Sequence, residues 1–269
     1  MKIFITGSTG FIGQNLADFY SEHAVFRFTR NMVLQDELEK FKPDLVINCA
    51  AEIYDINNMW AVNVVLAKQC LQYCIENNKQ MIQLGSSSEY GTVDSATKEH
   101  DPIQVESAYA GTKGIATLMC QTAAAEYQTD VVILRPYSPY GPGERPHRLF
   151  PALWRAFKLN QPMDLVMGVH DFLYIDDFVS AVDCVLQSKD RQPGEIINIS
   201  SGQQYSNSDV LAAFQTVTGK QAPVNIVNKF VTPATWCADI SHIKQKYGWQ
   251  PSISLEQGIK LFLEKADYE

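Results

Sequence analysis

The run Thr6-Gly7-Ser8-Thr9-Gly10-Phe11-Ile12-Gly13 constrains this chain more than any other feature. It follows a short apolar stretch, Lys2–Thr6, and precedes an apolar helical segment. Strand, glycine turn and helix in that order leave few architectures. The three glycines stand at three-residue steps, one residue longer in the first gap than the dinucleotide fingerprint G-x-G-x-x-G. Gly7 permits a tight turn, Gly10 lets backbone approach a pyrophosphate, and Gly13 lets helix and strand pack closely. The helix N-terminus then offers N–H groups and a positive dipole end to phosphate. The spacing predicts a dinucleotide cradle formed by Gly7, Thr9, Gly10, Phe11, Ile12 and Gly13.

The pattern continues beyond the turn. Val25–Thr29, Leu45–Asn48, Met81–Leu84 and Val131–Leu134 are short and almost continuously apolar, as strands buried on both faces are. Between them Trp60, Val64, Ala67, Leu71 and Ile75 recur at helical spacing, as do Ala108, Ile115, Leu118, Met119 and Thr122. Such alternation implies an α/β, Rossmann-like doubly wound parallel sheet. Only residues 31–43 separate the second strand from the next, so the third strand of a full Rossmann order is expected to be shortened or absent. Proline-rich, aromatic sequence begins at Pro136, and Ile196–Ile199 reads as one more buried strand. Ser206–Asp209 and Ser254–Gln257 read as helix capping boxes. The expected division is a dinucleotide-binding domain of residues 1–137 plus 171–200, and a small substrate-binding lobe of 138–170 plus 201–269.

Composition narrows the class. A net charge of −8 offers no basic surface for nucleic acid or an anionic membrane. Charged residues are 19% and apolar residues 46%, which excludes global disorder. No apolar run approaches the roughly 20 residues of a membrane span, and no signal peptide is expected. The six cysteines form no Cys-x-x-Cys pair, so reduced thiols in a cytoplasmic protein are expected. The histidine spacing suggests no metal site.

Two further patterns carry chemistry. At the end of the second strand, where an acid commonly bonds the ribose of NAD, the chain reads Phe26-Arg27-Phe28-Thr29-Arg30. Arg30 could pair with a 2′-phosphate, with Arg27 and Thr29 as helpers, which favours NADP while leaving NAD open. Tyr109-Ala110-Gly111-Thr112-Lys113 opens a helix and puts Tyr109 and Lys113 on one face. A nearby ammonium is expected to lower the tyrosine's pKa and fit it for proton transfer. Upstream, Ser86-Ser87-Ser88 follows a strand's carboxyl end, where a hydroxyl can hold a substrate oxygen.

In this order the motifs resemble the extended short-chain dehydrogenase/reductases, in the sugar-nucleotide epimerase/dehydratase branch. The resemblance rests on Thr6–Gly13, Cys49-Ala50-Ala51, Asn63, Gly85–Gly91, Tyr109–Lys113, Arg135–Gly143, Asp171–Asp177, Asn198–Gly202 and Tyr247-Gly248-Trp249-Gln250-Pro251. It implies a catalytic Ser86, with Ser87 a close second for that hydroxyl, together with Tyr109 and Lys113, and Lys113 also bonding the nicotinamide ribose. It places Ala50 and Ala51 beside the cofactor, Tyr137 and Ser138 near the nicotinamide, and Asn63 as a structural orienter. Ser87 and Ser88 stand where dehydratases carry an acidic pair, which argues against dehydration; Glu89 comes one place late. The run Gly85–Gly91 is similar to that of 4-ketoreductases, so the expected activity is NADPH-dependent reduction of a nucleotide-activated 4-keto deoxy-sugar. The alternatives are a 4-epimerase with tightly bound NAD and a non-catalytic NADP-binding sensor.

Relatives often carry arginines where this chain has His170 and Thr232. Arg145, Arg148, Arg155 and Lys158 are candidate replacements for binding a substrate diphosphate, Arg148 first; Ser87 and Ser88 are the other expected substrate contacts. His147 and His170 are expected to be loop residues and Cys49 a core residue. The resemblance also implies a homodimer through the helices around 63–75 and 109–121, with Cys70, Cys74 and Cys120 as apolar filler.

Overall fold

In a computed structural model that describes residues 1–227 and 235–268, six parallel strands form the central sheet. β1 (Lys2–Thr6), β2 (Ala24–Arg27), β3 (Leu45–Asn48), β4 (Gln80–Leu84), β5 (Val131–Pro136) and Ile196–Ile199 run in the order Ile196–Ile199, β5, β4, β3, β1, β2. Four consecutive buried residues end β1, β3 and β4, as the near-continuous apolar runs predict for strands covered on both faces. The sheet is the Rossmann-like α/β arrangement expected. β2 is its edge: residues 34–41 form helix α2, and no strand lies beyond β2 among the described residues. β2 ends two residues earlier than the sequence suggests, which leaves Phe28 and Thr29 in the loop to Arg30.

The strand order reverses at β1, whose two neighbours β2 and β3 come from opposite directions along the sheet. Ligands of open α/β sheets sit in the crevice outside such a point. A buried ladder ties the crevice floor together. The Thr6 hydroxyl donates to Asn48 Oδ1 at 2.5 Å, Asn48 Nδ2 to Gln83 Oε1 at 2.8 Å, and Gln83 Nε2 to the Leu84 carbonyl at 2.9 Å.

The two crossover helices depart from the sequence stripes. Between α3 (Ile56–Trp60) and α4 (Leu66–Asn77) lies a π-helical turn, Ala61–Val65. The wider turn breaks the 3.6-residue register, so Trp60 is exposed while Val64, Ala67 and Leu71 are buried. In α5 (Ala108–Tyr127) Leu118 is exposed and Ile115 borders on it, while the buried face is built from small residues including Ala116, Thr117, Cys120 and Ala123. Small side chains let α5 lie close to the sheet. Cys70, Cys74 and Cys120 are buried in a core cluster with Phe4, Val46 and Ile133, as apolar filler.

The remaining chain packs on the carboxyl side without a separate core. One cluster runs from Ile3, Ile5 and Leu16 to Phe150, Phe214 and Phe262. Within it the Tyr140 and Phe150 rings stack at 3.8 Å. Short pairs trim this part: Met163–Val166 with Val224–Val227, Ser138–Tyr140 with Phe172–Tyr174, and Val169–His170 with Tyr205–Ser206. Both expected capping boxes are present, Ser206 with Asp209 and Ser254 with Gln257; each cap is worth about 1 kcal/mol. The buried Asp171 accepts from the Ser201, Gly202 and Ala238 N–H groups, and Asp177 from those of Ser252 and Ile253. These two aspartates bind the later loops to the sheet.

Candidate active site

The glycine turn forms the floor of a cleft of about 550 Å3. Gly7 has φ +62°, and a Cβ there would lie 2.7 Å from the Ala50 nitrogen. A Cβ on Gly13 would lie 2.3 Å from the Gly7 carbonyl oxygen. These contacts show why the turn and helix α1 (Phe11–Phe19) need glycine at both positions. Gly7, Thr9, Gly10 and Phe11 line the cleft with Arg30, Ala50 and Ala51. Ile12 packs against the core instead, and Gly13 is buried at the helix–turn contact. Arg27 is held by Asp18 at 2.5 Å, whereas Arg30 and Thr29 border the cleft. The size, the open backbone and the α1 N-terminus suit a dinucleotide.

Ser86, Tyr109 and Lys113 converge beyond β4. Ser86 caps the short 3-10 turn Ser87–Tyr90, its Oγ accepting from Ser88 N–H at 3.1 Å. Its side chain also hydrogen-bonds Tyr109. Lys113 is fully buried, and its Nζ donates to the Leu84 carbonyl at 2.5 Å. Burial lowers its pKa to about 8, against the opposing pull of Glu89. Tyr109 departs from the sequence expectation. Its pKa is raised, because burial outweighs the lowering effects of the Ser86 bond and Arg148. The phenol therefore stays protonated at neutral pH.

Glu89 is the hub that fixes this turn. One carboxylate oxygen accepts from Ser86 N–H at 2.8 Å; the other accepts from Thr117 and from Arg135 Nε and Nη2 at 2.8 to 3.0 Å. Arg135 also lies over the Tyr90 ring at 4.4 Å. Removing one partner of such a buried pair costs about 3–5 kcal/mol. Glu89 is thus committed to structure. Asn63, in the π turn, bonds both backbone groups of Glu52 and donates to the Thr112 hydroxyl at 2.9 Å. It orients the β3 loop against the helix that carries Lys113.

Two further cavities are lined by residues of the 3-10 turn and of the loops after β5. A recess with room for one water-sized sphere, about 10 Å3 for its centre, is lined by Ser87, Tyr90, Val93, Tyr137, Trp236 and Cys237. Its two tyrosine hydroxyls are occupied: Tyr90 donates to Asn198 Oδ1, and Tyr137 bonds Thr97. A second cavity of about 230 Å3 contains Ser138, Glu144, His147, Arg148, His170 and Asn207. Ser138, expected near the nicotinamide, thus lines this cavity with Arg148. Ser88 is half-buried in the 3-10 turn. Burial raises the Glu144 pKa to about 7 despite the Arg148 guanidinium 3.1 Å away, and lowers that of His170 to about 4. His170 is therefore neutral and does not replace the arginine of relatives; Thr232 lies outside the described residues. Sequence reasoning missed Glu144, whose signal was an acid four residues before Arg148 in a proline-bounded loop. Cys49 is pushed up to about 12 by burial, as an inert core thiol is.

Among the described residues there is no cluster of three or more potential metal ligands, and no helix is long and apolar enough to cross a membrane. The family model described as the NAD dependent epimerase/dehydratase family matches residues 3–200. The chain belongs to that family. Within the epimerase/dehydratase family it is 26% identical to the uncharacterized UDP-glucose epimerase YtcB of Bacillus subtilis, with 96% of each chain covered. It is also 26% identical to an Escherichia coli dTDP-4-dehydro-6-deoxyglucose reductase, over 68% of this chain and 60% of that protein. The structure of Bacillus cereus UDP-glucuronic acid 4-epimerase in complex with UDP-glucuronic acid and NAD superposes with a TM-score of 0.87 at 25% identity, covering 98% of both chains.

Proposed function

We propose that this epimerase/dehydratase-family enzyme reduces the 4-keto group of a nucleotide-activated deoxy-sugar with NADPH. The arrangement that supports the reading is Ser86 just beyond the end of β4 with Tyr109 one helical turn from the buried Lys113, whose ammonium is fixed on the Leu84 carbonyl. When bound, NADPH supplies hydride to the keto carbon. Tyr109 donates its proton to the oxygen that becomes the alcohol. The Ser86 hydroxyl donates a hydrogen bond to the same oxygen as negative charge develops, where such a bond contributes most. Lys113, its ammonium anchored on the Leu84 carbonyl, bonds the nicotinamide ribose and keeps positive charge beneath the site.

Ala50, Ala51 and Arg30 border the cofactor, and Arg30 takes the 2′-phosphate. Residues 138–170 and 201–269 serve as the substrate lobe, with Arg148 on the diphosphate and Ser87 and Ser88 on the sugar. The small recess beside Ser87 supports a deoxy-sugar: it has the size of a methyl group, Val93 is in its wall, and the Tyr90 and Tyr137 hydroxyls are bonded within the protein. Exposed Trp60, Val65 and Leu118 on the two crossover segments support the homodimer.

The second reading is a 4-epimerase that oxidises and re-reduces the same carbon with retained NAD. It is supported by the named activities of the Bacillus relatives and by NAD in the Bacillus cereus complex. Nucleotide released from denatured protein, identified by mass spectrometry, separates the two. Fluorescence titration with NADPH and NADH, followed by turnover with a 4-keto-6-deoxy sugar nucleotide, completes the test. Reversible, tighter NADPH binding and its oxidation by the keto-sugar support the reductase. Non-exchanging NAD supports the epimerase. A protein that binds nucleotide but turns over neither substrate type is the sensor of the sequence alternatives.

A further inference from the structure

The loop at 143–148 faces both working cavities of the molecule. Gly143 and Arg145 line the dinucleotide cleft, whereas Glu144, His147 and Arg148 line the cavity on the other side. Arg145, a sequence candidate for the substrate's phosphates, therefore stands on the cofactor side.

The charges around the cleft are few. Its lining residues include the cations Arg30 and Arg145 and one carboxylate, Glu52. Glu52 Oε1 accepts from the N–H groups of Ile53, Tyr54 and Asp55 at 3.0 to 3.2 Å, which turns it into its own loop. Arg30 follows β2 at the edge of the sheet, whereas Arg145 rises from the loop after Gly143. Arg145 forms no ion pair among the described residues; its guanidinium carbon lies 5.7 Å from the centre of the Tyr54 ring. The Tyr54 hydroxyl in turn meets His147 Nε2 at 3.0 Å, with the rings edge to face. Tyr54 belongs to the loop after β3 and Arg145 to the loop before the helix Leu149–Leu159. Their contact joins the two walls of the cleft. The second wall is firm, since Arg155 Nη2 donates to the Pro146 carbonyl at 2.5 Å.

A dinucleotide carries a diphosphate that the α1 N-terminus meets from one side with N–H groups. A guanidinium on the opposite wall supplies the charge-assisted bonds that remain. We propose that Arg145 is a cofactor-binding residue that closes over the diphosphate, and that Tyr54 holds it in place so that cofactor exchange requires this contact to part. The proposal rests on the cleft's being the dinucleotide site.

Because the diphosphate is common to both cofactors and the 2′-phosphate is not, two arginine variants separate the roles. Dissociation constants for NADPH and NADH are measured by fluorescence on the wild-type protein, Arg145→Gln and Arg30→Gln, with ligand-free melting curves to show that all three are folded. Arg145→Gln is expected to weaken both nucleotides about tenfold and to leave their ratio unchanged. Arg30→Gln is expected to weaken NADPH alone. Tyr54→Ala, followed by stopped-flow release, is expected to speed loss of both nucleotides several-fold. Wild-type affinities in Arg145→Gln overturn the proposal, and so does a loss confined to NADPH, which would make Arg145 a reader of the 2′-phosphate. Unchanged release from Tyr54→Ala overturns the holding role. If the wild-type protein releases no dinucleotide on denaturation and binds neither added nucleotide, the cleft's assignment fails and the proposal falls with it, a result distinct from failure of Arg145 alone.

Discussion

The cleft over the glycine turn and the cavity around Glu144 lie on opposite sides of one loop and are built by opposite means. The cleft is a backbone device. Its floor is a glycine turn whose shape is set by two missing Cβ atoms, and it has cations at its rim. The second cavity is a side-chain device. It buries an acid and an imidazole whose pKa values shift past each other, the acid up to about 7 and the imidazole down to about 4, because burial disfavours the charged form of each. A backbone device tolerates any residue that leaves the turn intact, so it is shared widely in α/β folds. A side-chain device depends on which groups face each other and so distinguishes one substrate from another.

The largest expected effect lies between the two regions. Tyr109→Phe keeps the ring and its packing but removes the proton, so turnover is expected to fall about 10²–10⁴-fold, the range of acid–base contributions. NADPH affinity, measured by fluorescence, is expected to stay near wild type. Turnover close to wild type would detach the chemistry from both regions.

Next come the paired titrations of the side-chain cavity. His170 binds protons more weakly folded than unfolded, so its stabilising contribution is lost as pH falls from about 6.5 toward about 4. Glu144 binds them more tightly folded, so its contribution is lost as pH rises from about 4.5 through about 7. Each shift corresponds to about 3 kcal/mol at its limit. In urea titrations across this range, His170→Gln is expected to flatten the acid side. Glu144→Gln is expected to gain stability relative to wild type above pH 7. Parallel pH profiles for the two variants and the wild type would show that burial does not govern this cavity.

A smaller effect tests the backbone device. Gly13→Ala places a methyl against the Gly7 carbonyl and forces α1 away from the turn. The expected cost is about 1–3 kcal/mol, typical of overpacking, read as a lower melting temperature together with weaker binding of both nucleotides. Loss of stability without loss of binding would show that the turn adapts independently of the helix.

The comparison also explains what could be read in advance. The strands of the sheet, the turn at Gly7 and the capping boxes at Ser206 and Ser254 are local, since each follows from residues a few positions apart. Trp60 and Leu118 were misplaced on buried stripes because a π turn and a face of small residues change which positions point inward. Periodicity alone does not register either change.

By itself the sequence determined the parallel sheet, the place of the glycine turn and the order of Ser86, Tyr109 and Lys113. Spacing along the chain carries all three. Only the tertiary structure decided that burial raises the Tyr109 pKa, that Glu89 is committed to Arg135, that Arg145 lines the cleft over the glycine turn and that Glu144 shares a cavity with His170. The physical reason is that desolvation and charge act through space. Glu89 and Arg135 are 46 residues apart, yet they meet at 2.8 Å once β4 and β5 pair.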